Sequence, residues 1–206
     1  MTIPTDNKRS KKLLTIILTI PIAVILLSSA VFYLAKQDII SFTTVNRGTL
    51  INPPMQLGDL HPLRRDGGEF LFNRAESRWV FMVVGGRDCR DACERMLYLT
   101  RQTHTAMGKK LDRVERIYLA TDGPLSPELR DFLEAEHSDM TVLQVDGEAF
   151  LGKLKNLDIN PFDASTFYVV DPMGWVMMYY RAADMEQLTL TTLGKDVLKD
   201  MGRLIK

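Results

Sequence analysis

Two cysteines in 206 residues exclude a multi-disulfide scaffold and any four-cysteine zinc site. An excess of one charge is missing too. Lys and Arg total 26 against 26 Asp and Glu, so no bulk positive field draws a nucleic acid and no acidic excess holds the chain open. No internal repeat or low-complexity block appears. G-x-S-x-G, H-E-x-x-H, the phosphate loop and the dinucleotide fingerprint are all absent, which leaves hydrolase and transferase readings without a motif. What remains is ordinary globular material: 46% hydrophobic and 25% charged residues rule out wholesale disorder.

The hydrophobicity is unevenly spread. Leu13 to Leu34 is an uncharged run of 22 residues. At 1.5 Å per residue such a helix spans about 33 Å, enough to cross a hydrocarbon core. Pro21 inside it is tolerated better in a membrane than in water. A cleavable signal carries a shorter apolar run, and here the small residues Ser28, Ser29 and Ala30 fall inside the run, so it reads as a retained anchor. Lys8, Arg9, Lys11 and Lys12 precede the span, whereas Lys36 and Arg47 are the nearest basic residues after it. That asymmetry places 1–12 in the cytoplasm, 13–34 in the membrane, a stalk over 35–47 and a domain over 48–206 outside. In a bacterium this is a single-pass inner-membrane protein facing the oxidising periplasm.

Along the exported part, Asp66-Gly67-Gly68 reads as a turn. Trp79 to Val84 is a continuous apolar run, as in a buried central strand. After Gly85-Gly86, residues Ala92, Cys93, Met96, Leu97, Thr100, Thr103 and Met107 recur at helical spacing, with Gly108 as the stop. A strand over 114–120 follows, then a helix capped by Ser126 with Pro127 at its first position. Next come a strand over 140–145, a short helix over 147–157, and strands 166–170 and 175–180 flanking the turn Asp171-Pro172-Met173-Gly174. The last helix places Leu190, Leu193, Val197, Met201 and Leu204 on one face, with Gly194 and Gly202 weakening it. Parallel crossovers, an antiparallel pair and a closing helix predict an α/β fold, a thioredoxin-like three-layer sandwich.

Cys89 and Cys93 sit where the central strand gives way to its helix, a solvent-facing junction by this reading. A helix start favours a thiolate; Arg87 and Arg90 help it, and Asp88 and Asp91 oppose it. Four residues along a helix, about 6 Å, lies within disulfide range once the backbone is locally distorted. The same spacing brings two sulfurs to one soft ion such as Cu(I). Redox chemistry and Cu(I) both stay open for this pair, beside a structural disulfide and inert thiols.

The run Gly85-Gly86-Arg87-Asp88-Cys89-Arg90-Asp91-Ala92-Cys93 resembles the G-x-x-x-C-P-D-x-C signature of the Sco/SenC family. Ser126-Pro127-Glu128-Leu129 is similar to that family's T-P-E-x-L helix start, and Tyr168-Val169-Val170-Asp171-Pro172 to its Y-L-V-D-P strand. The resemblance implies a membrane-anchored thioredoxin-like protein that assists assembly of the copper site of cytochrome c oxidase. It also implies Cys89 and Cys93 as the working residues, copper as a cofactor, and an oxidase subunit or copper chaperone as partner; nucleic acid is not expected.

Two positions depart from the family pattern. Its proline is Arg90 here, and the position of its copper-ligand histidine is Asp163, a hard oxygen donor poorly matched to Cu(I). His104 lies about 16 Å along the helix from Cys93, too far to substitute. His61 and His137 read as surface residues, and Met173, Met177 and Met178 as packing residues more than ligands. The sequence therefore predicts thiol–disulfide exchange or Cu(I) handling through Cys89 and Cys93. The alternative is a non-catalytic interaction module with a degenerate site that docks on a respiratory assembly partner.

Overall fold

The computed structural model describes residues 7–36, 45–72, 76–155 and 157–205. The chain falls into two units, Met1–Val45 and Asn46–Lys206. In the first, helix α1 (Asn7–Lys36) contains a stretch, Lys11–Leu34, that is 24 residues long and apolar enough to cross a membrane. Three of its hydroxyls are satisfied within the helix: Thr15, Thr19 and Ser28 donate to the carbonyls of Lys11, Ile16 and Ile25 at 2.9, 3.3 and 3.2 Å. Most of the predicted stalk, 37–44, lies outside the described residues.

The second unit is built on one mixed sheet. Its strands are β1 (Thr49–Gln56), β2 (Leu63–Arg64), β3 (Trp79–Gly85), β4 (Val114–Ala120), β5 (Met140–Gln144), β6 (Thr166–Val170) and β7 (Trp175–Arg181). Among the described residues they lie in the order β1-β7-β6-β3-β4-β5-β2. β3, β4 and β5 run parallel, while β6, β7 and β1 add antiparallel on one side and β2 on the other. Helices α2 (Ala92–Ala106), α3 (Pro127–Glu136), α4 (Gly147–Leu154) and α5 (Gln187–Leu204) complete the layers.

Alternation along β3 divides the core. Phe81 and Val83 point to one buried cluster with Met96 and Leu97 of α2, Leu129 and Leu133 of α3 and Val197 and Met201 of α5. Val80, Met82 and Val84 point to the other, with Phe150 and Leu154 of α4 and Leu57 of the N-terminal approach. Buried on both faces, β3 had to be a continuous apolar run. The three-layer thioredoxin-like sandwich predicted from the pattern is the fold observed.

Capping sets the helix starts. Ser126 Oγ accepts the Leu129 amide at 3.2 Å, and Asp146 Oδ1 accepts those of Glu148 and Ala149 at 2.8 and 3.1 Å. In α5, the glycine predicted only to weaken the helix has a packing role. A Cβ at Gly194 would sit 3.3 Å from Leu99 Cδ1, so glycine lets α5 lie close on α2. Asp200, also on α5, is buried, and its Oδ2 accepts from the amides of Arg47 and Gly48 and from Tyr180 Oη at 2.6, 3.0 and 2.9 Å. That pins the entry of the domain to its closing helix.

Candidate functional site

The site is the loop that carries β3 into α2. Its first residues are held through their carbonyls. Gly85 O accepts from the amide and hydroxyl of Thr121 at 2.9 and 3.1 Å, Gly86 O from Tyr118 Oη at 2.9 Å, and Arg87 O from the Ser126 amide at 2.9 Å. Tyr118 is fully buried; burial first, and the Asp88 carboxylate second, push its phenol up, so it remains a donor. Its ring also explains Gly85, where an added Cβ would fall 2.1 Å from the phenolic oxygen. Tyr118 was not singled out from the sequence. A tyrosine in the apolar run 117–120 that ends β4 is the signal that could have found it.

Cys89 and Cys93 close a disulfide with Cα atoms 5.3 Å apart. Cys89 stands in the loop and only Cys93 is on the helix, which begins at Ala92 behind the N-cap Asp91. The distortion the spacing required is thus a loop turn ahead of the helix. The expectation of a solvent-facing pair is corrected: each cysteine is only 5% exposed and belongs to the core cluster on the α2 face. Solvent takes the charges between and before them instead, with Arg87, Asp88, Arg90 and Asp91 all exposed. A cleft of about 930 Å³ opens beyond the carboxyl ends of β3, β4 and β5 and reaches Gly85 and Gly86, with Asp122, Asp146 and Glu148 on its walls; neither cysteine lines it.

Asp163 precedes β6, and β6 runs antiparallel to β3, so it stands at the end of the sheet from which the cysteine loop departs. Its carboxylate is already engaged. Oδ1 accepts from the amide and hydroxyl of Ser165 at 2.9 and 2.6 Å, and Oδ2 pairs with Arg181 Nε at 2.9 Å. Burial alone would raise this carboxyl, but the Ser165 hydrogen bonds and the Arg181 charge outweigh it and hold it below the usual range. Among the described residues, no three His, Cys, Asp or Glu side chains gather as a metal would require. The three-ligand copper centre that the resemblance implies therefore does not fit the side chains present.

The other candidates lie elsewhere. His61 is exposed, its Nδ1 at 2.7 Å from Glu69 Oε1. His137, read as a surface residue, is corrected: it is 3% exposed and its Nδ1 lies 3.3 Å from Arg116 Nη2. His104 is turned to the carbonyls of Val114 and Leu111 through Nε2, at 2.9 and 3.1 Å. Met178 is buried core, Met177 packs against the same cluster, and Met173 is exposed on the β6–β7 turn.

Residues 79–206 match the family model described as the transmembrane-like, thioredoxin-like, C-terminal domain. No curated protein sequence matches the chain. Among solved structures it is similar to Arabidopsis thaliana ScoI with copper bound, at 14% identity and a TM-score of 0.51, covering 73% of this chain and 97% of that one. A SCO1/SenC family lipoprotein from Bacillus anthracis is 17% identical with a TM-score of 0.52, covering 77% and 96%. BsSco, a Sco-family cytochrome c oxidase assembly protein in which a disulfide switch is identified, is 13% identical with a TM-score of 0.50, covering 80% and 99%. At these identities the likeness is one of fold.

Proposed function

The chain belongs to the transmembrane-like, thioredoxin-like family, and from that premise we propose that it is a membrane-tethered thiol–disulfide exchange protein serving assembly of the cytochrome c oxidase copper site. One observation carries the reading: the Cys89–Cys93 disulfide at the end of the central strand, where a thioredoxin-like sheet delivers its helix start. The likeness to Sco-fold structures, BsSco among them, supports the assignment to oxidase assembly. The apolar helix supports a single-pass anchor, and the basic residues before it support a cytoplasmic N-terminus with the domain in the periplasm.

The partner is an oxidase subunit or copper chaperone whose metal-site cysteines must be thiolates before a metal can bind. The reduced pair meets that need. A thiolate of Cys89 or Cys93 attacks one sulfur of the partner's disulfide and displaces the other as a thiolate. The second cysteine then attacks the mixed disulfide, and the partner leaves as a dithiol. Two electrons pass to the partner and the Cys89–Cys93 bond forms; a thiol reductant of the compartment reverses it. The observed disulfide is the product of this cycle. Copper is cargo in such an assembly, and the reduced pair alone offers it two thiolates, a donor set suited to two-coordinate Cu(I).

Thiol trapping on the full chain in detergent micelles tests the proposal. Across glutathione mixtures, Cys89 and Cys93 should become alkylatable together, in one two-electron transition, while the chain stays folded. Thiols that appear only after denaturation would make the bond structural. The chain would then be the interaction module, and a doubly substituted Cys89→Ser, Cys93→Ser chain would support oxidase assembly as well as the wild type.

A further inference from the structure

We infer that Asp91 is a positioning residue that makes the Cys89–Cys93 disulfide easier to reduce, because its backbone is strained while the ring is closed. The inference rests on the exchange reading above. Asp91 lies inside the ring closed by the disulfide, with φ 49° and ψ −108°. Only one other non-glycine residue among those described has positive φ, His61, and its ψ of 58° puts it in the ordinary left-handed basin. Asp91 falls outside that basin, where a Cβ crowds the neighbouring peptide groups.

The same chain shows what an unconstrained N-cap does. Ser126 has φ −61° and ψ 153°, Asp146 φ −70° and ψ 120°, and Glu186 φ −71° and ψ 147°; all three are extended, and the side chains of the first two also accept from helix amides. Asp91, chemically as good a cap, is neither extended nor bonded through its side chain. The helix behind it begins normally, with the Arg95 amide donating to Asp91 O at 3.1 Å and the Cys93 amide to Arg90 O at 3.0 Å. The departure is confined to one residue, and the ring is the constraint acting there: the chain must turn sharply to bring Cys89 from the loop to 5.3 Å from Cys93. When a dithiol or two glutathione molecules reduce the bond, Sγ–Sγ breaks, both sulfurs take up protons, and the reductant leaves as its disulfide. Asp91 is then released to the extended conformation of Ser126, Asp146 and Glu186. Strain present in the disulfide and absent from the dithiol raises the potential of the couple.

The test compares variants of the full chain in detergent micelles, equilibrated with reduced and oxidised glutathione, alkylated and weighed by mass spectrometry. Glycine adopts the Asp91 backbone conformation without a Cβ clash. Asp91→Gly should therefore favour the disulfide about tenfold, a midpoint lower by about 30 mV for a two-electron couple. Asp91→Asn keeps the Cβ and removes the charge, so it should stay within about twofold of wild type. Arg90→Gly loosens the same ring at a residue without positive φ and should not favour the disulfide. Equal midpoints for wild type and Asp91→Gly overturn the inference while leaving the exchange reading intact. So does a shift in Asp91→Asn as large as in Asp91→Gly, which would make the effect one of charge. A wild-type bond that glutathione never opens in the folded chain overturns the exchange reading, and the inference with it.

Discussion

Helix α2 is held by polar chemistry at its start and at its middle, and the two places differ in kind. At its start are a disulfide, three tethered carbonyls and a set of charges left in water. Across its middle lies Arg116 of β4, entirely buried. Arg116 Nη2 donates to Leu97 O at 2.7 Å and to Thr100 Oγ1 at 3.1 Å, and Nη1 donates to both oxygens of Asp139 at 2.9 and 3.1 Å. His137 closes the cluster. Burial lowers the Arg116 pKa, partly offset by Asp139, and burial together with the Arg116 charge lowers that of His137 to about 4. Asp139 goes down although burial opposes it, because Arg116 prevails. Displaced protonation is often a mark of function. Here the Arg116, His137 and Asp139 cluster marks the frame, while the cysteine loop is set apart by a strained backbone. His104, with Nδ1 3.6 Å from Asp139 Oδ2, and His137 belong to that frame, which is why neither reaches the cysteines.

The sharpest way to break this contrast is to remove Arg116. Arg116→Ala empties buried volume, strips a donor from Leu97 O and leaves Thr100 and His137 short of a partner. It should cost about 3–5 kcal/mol in urea unfolding followed by tryptophan fluorescence. Arg116→Met restores much of the volume and frees Asp139, already 42% exposed at its side chain, to water; it should cost less than half as much. If the start and the middle of α2 are independent, the Arg116→Met chain keeps the wild-type glutathione midpoint. A shifted midpoint would join them into one system.

The next effect is smaller and depends on pH. His137 has the lower pKa in the folded chain, about 4 against an ordinary 6.5. The unfolded chain therefore takes up a proton as pH falls through 6.5, and the folded one does not until near 4. The stability tied to neutral His137 is complete above 6.5 and is lost between 6.5 and 4. Groups facing it pull both ways: Arg116 and Arg101 lower its pKa, and Asp139 and Glu136 raise it. Unfolding free energy should drop by about 1–3 kcal/mol across that window. Any loss through Asp139 comes lower, beneath its ordinary 3.8. His137→Asn keeps an acceptor for Arg116 without the titration and should flatten the slope; an unchanged slope would place the titrating group elsewhere.

The contrast also explains what could be read from the chain beforehand. β3, β4, α2, α3 and the β6–β7 hairpin carry local signals, such as an apolar run, helical spacing, a Ser-Pro cap and an Asp-Pro-x-Gly turn, and each forms where those signals put it. β1 escaped because Pro53 and Pro54 argue against a strand; it forms at the sheet edge, with its register broken between Leu50 and Met55. The cysteines were legible as a pair from spacing, but their burial was not, since it depends on the core cluster they share with residues of α2, α3 and α5. His137 looked like a surface helix end because its burial depends on Arg116, 21 residues away. The conformation of Asp91 has no sequence signal at all: aspartate is an ordinary N-cap, and only ring closure makes it strained.

The smallest effect on stability concerns Asp163, and it decides how far the site lies from a copper centre. Replacing Asp163 forfeits the Ser165 bonds and a partly exposed ion pair to Arg181, about 1 kcal/mol in all. Cu(II) prefers a tetragonal set that includes nitrogen or oxygen donors, and the reduced Cys89–Cys93 pair alone does not supply one. Titrated with Cu(II), the reduced wild-type chain should show no intense sulfur-to-copper charge-transfer band. Asp163→His places an imidazole at the end of the sheet from which the cysteine loop departs, and the band should appear there. Asp163→Asn frees the position equally without adding a soft donor and should stay dark. A band in the wild type would mean that the carboxylate leaves Arg181 for the metal, or that His61 or Met173 reaches the thiolates. Darkness in all three would mean that the segment before β6 holds residue 163 out of reach of the cysteines, and that Cu(I) between two sulfurs is the most this site can carry.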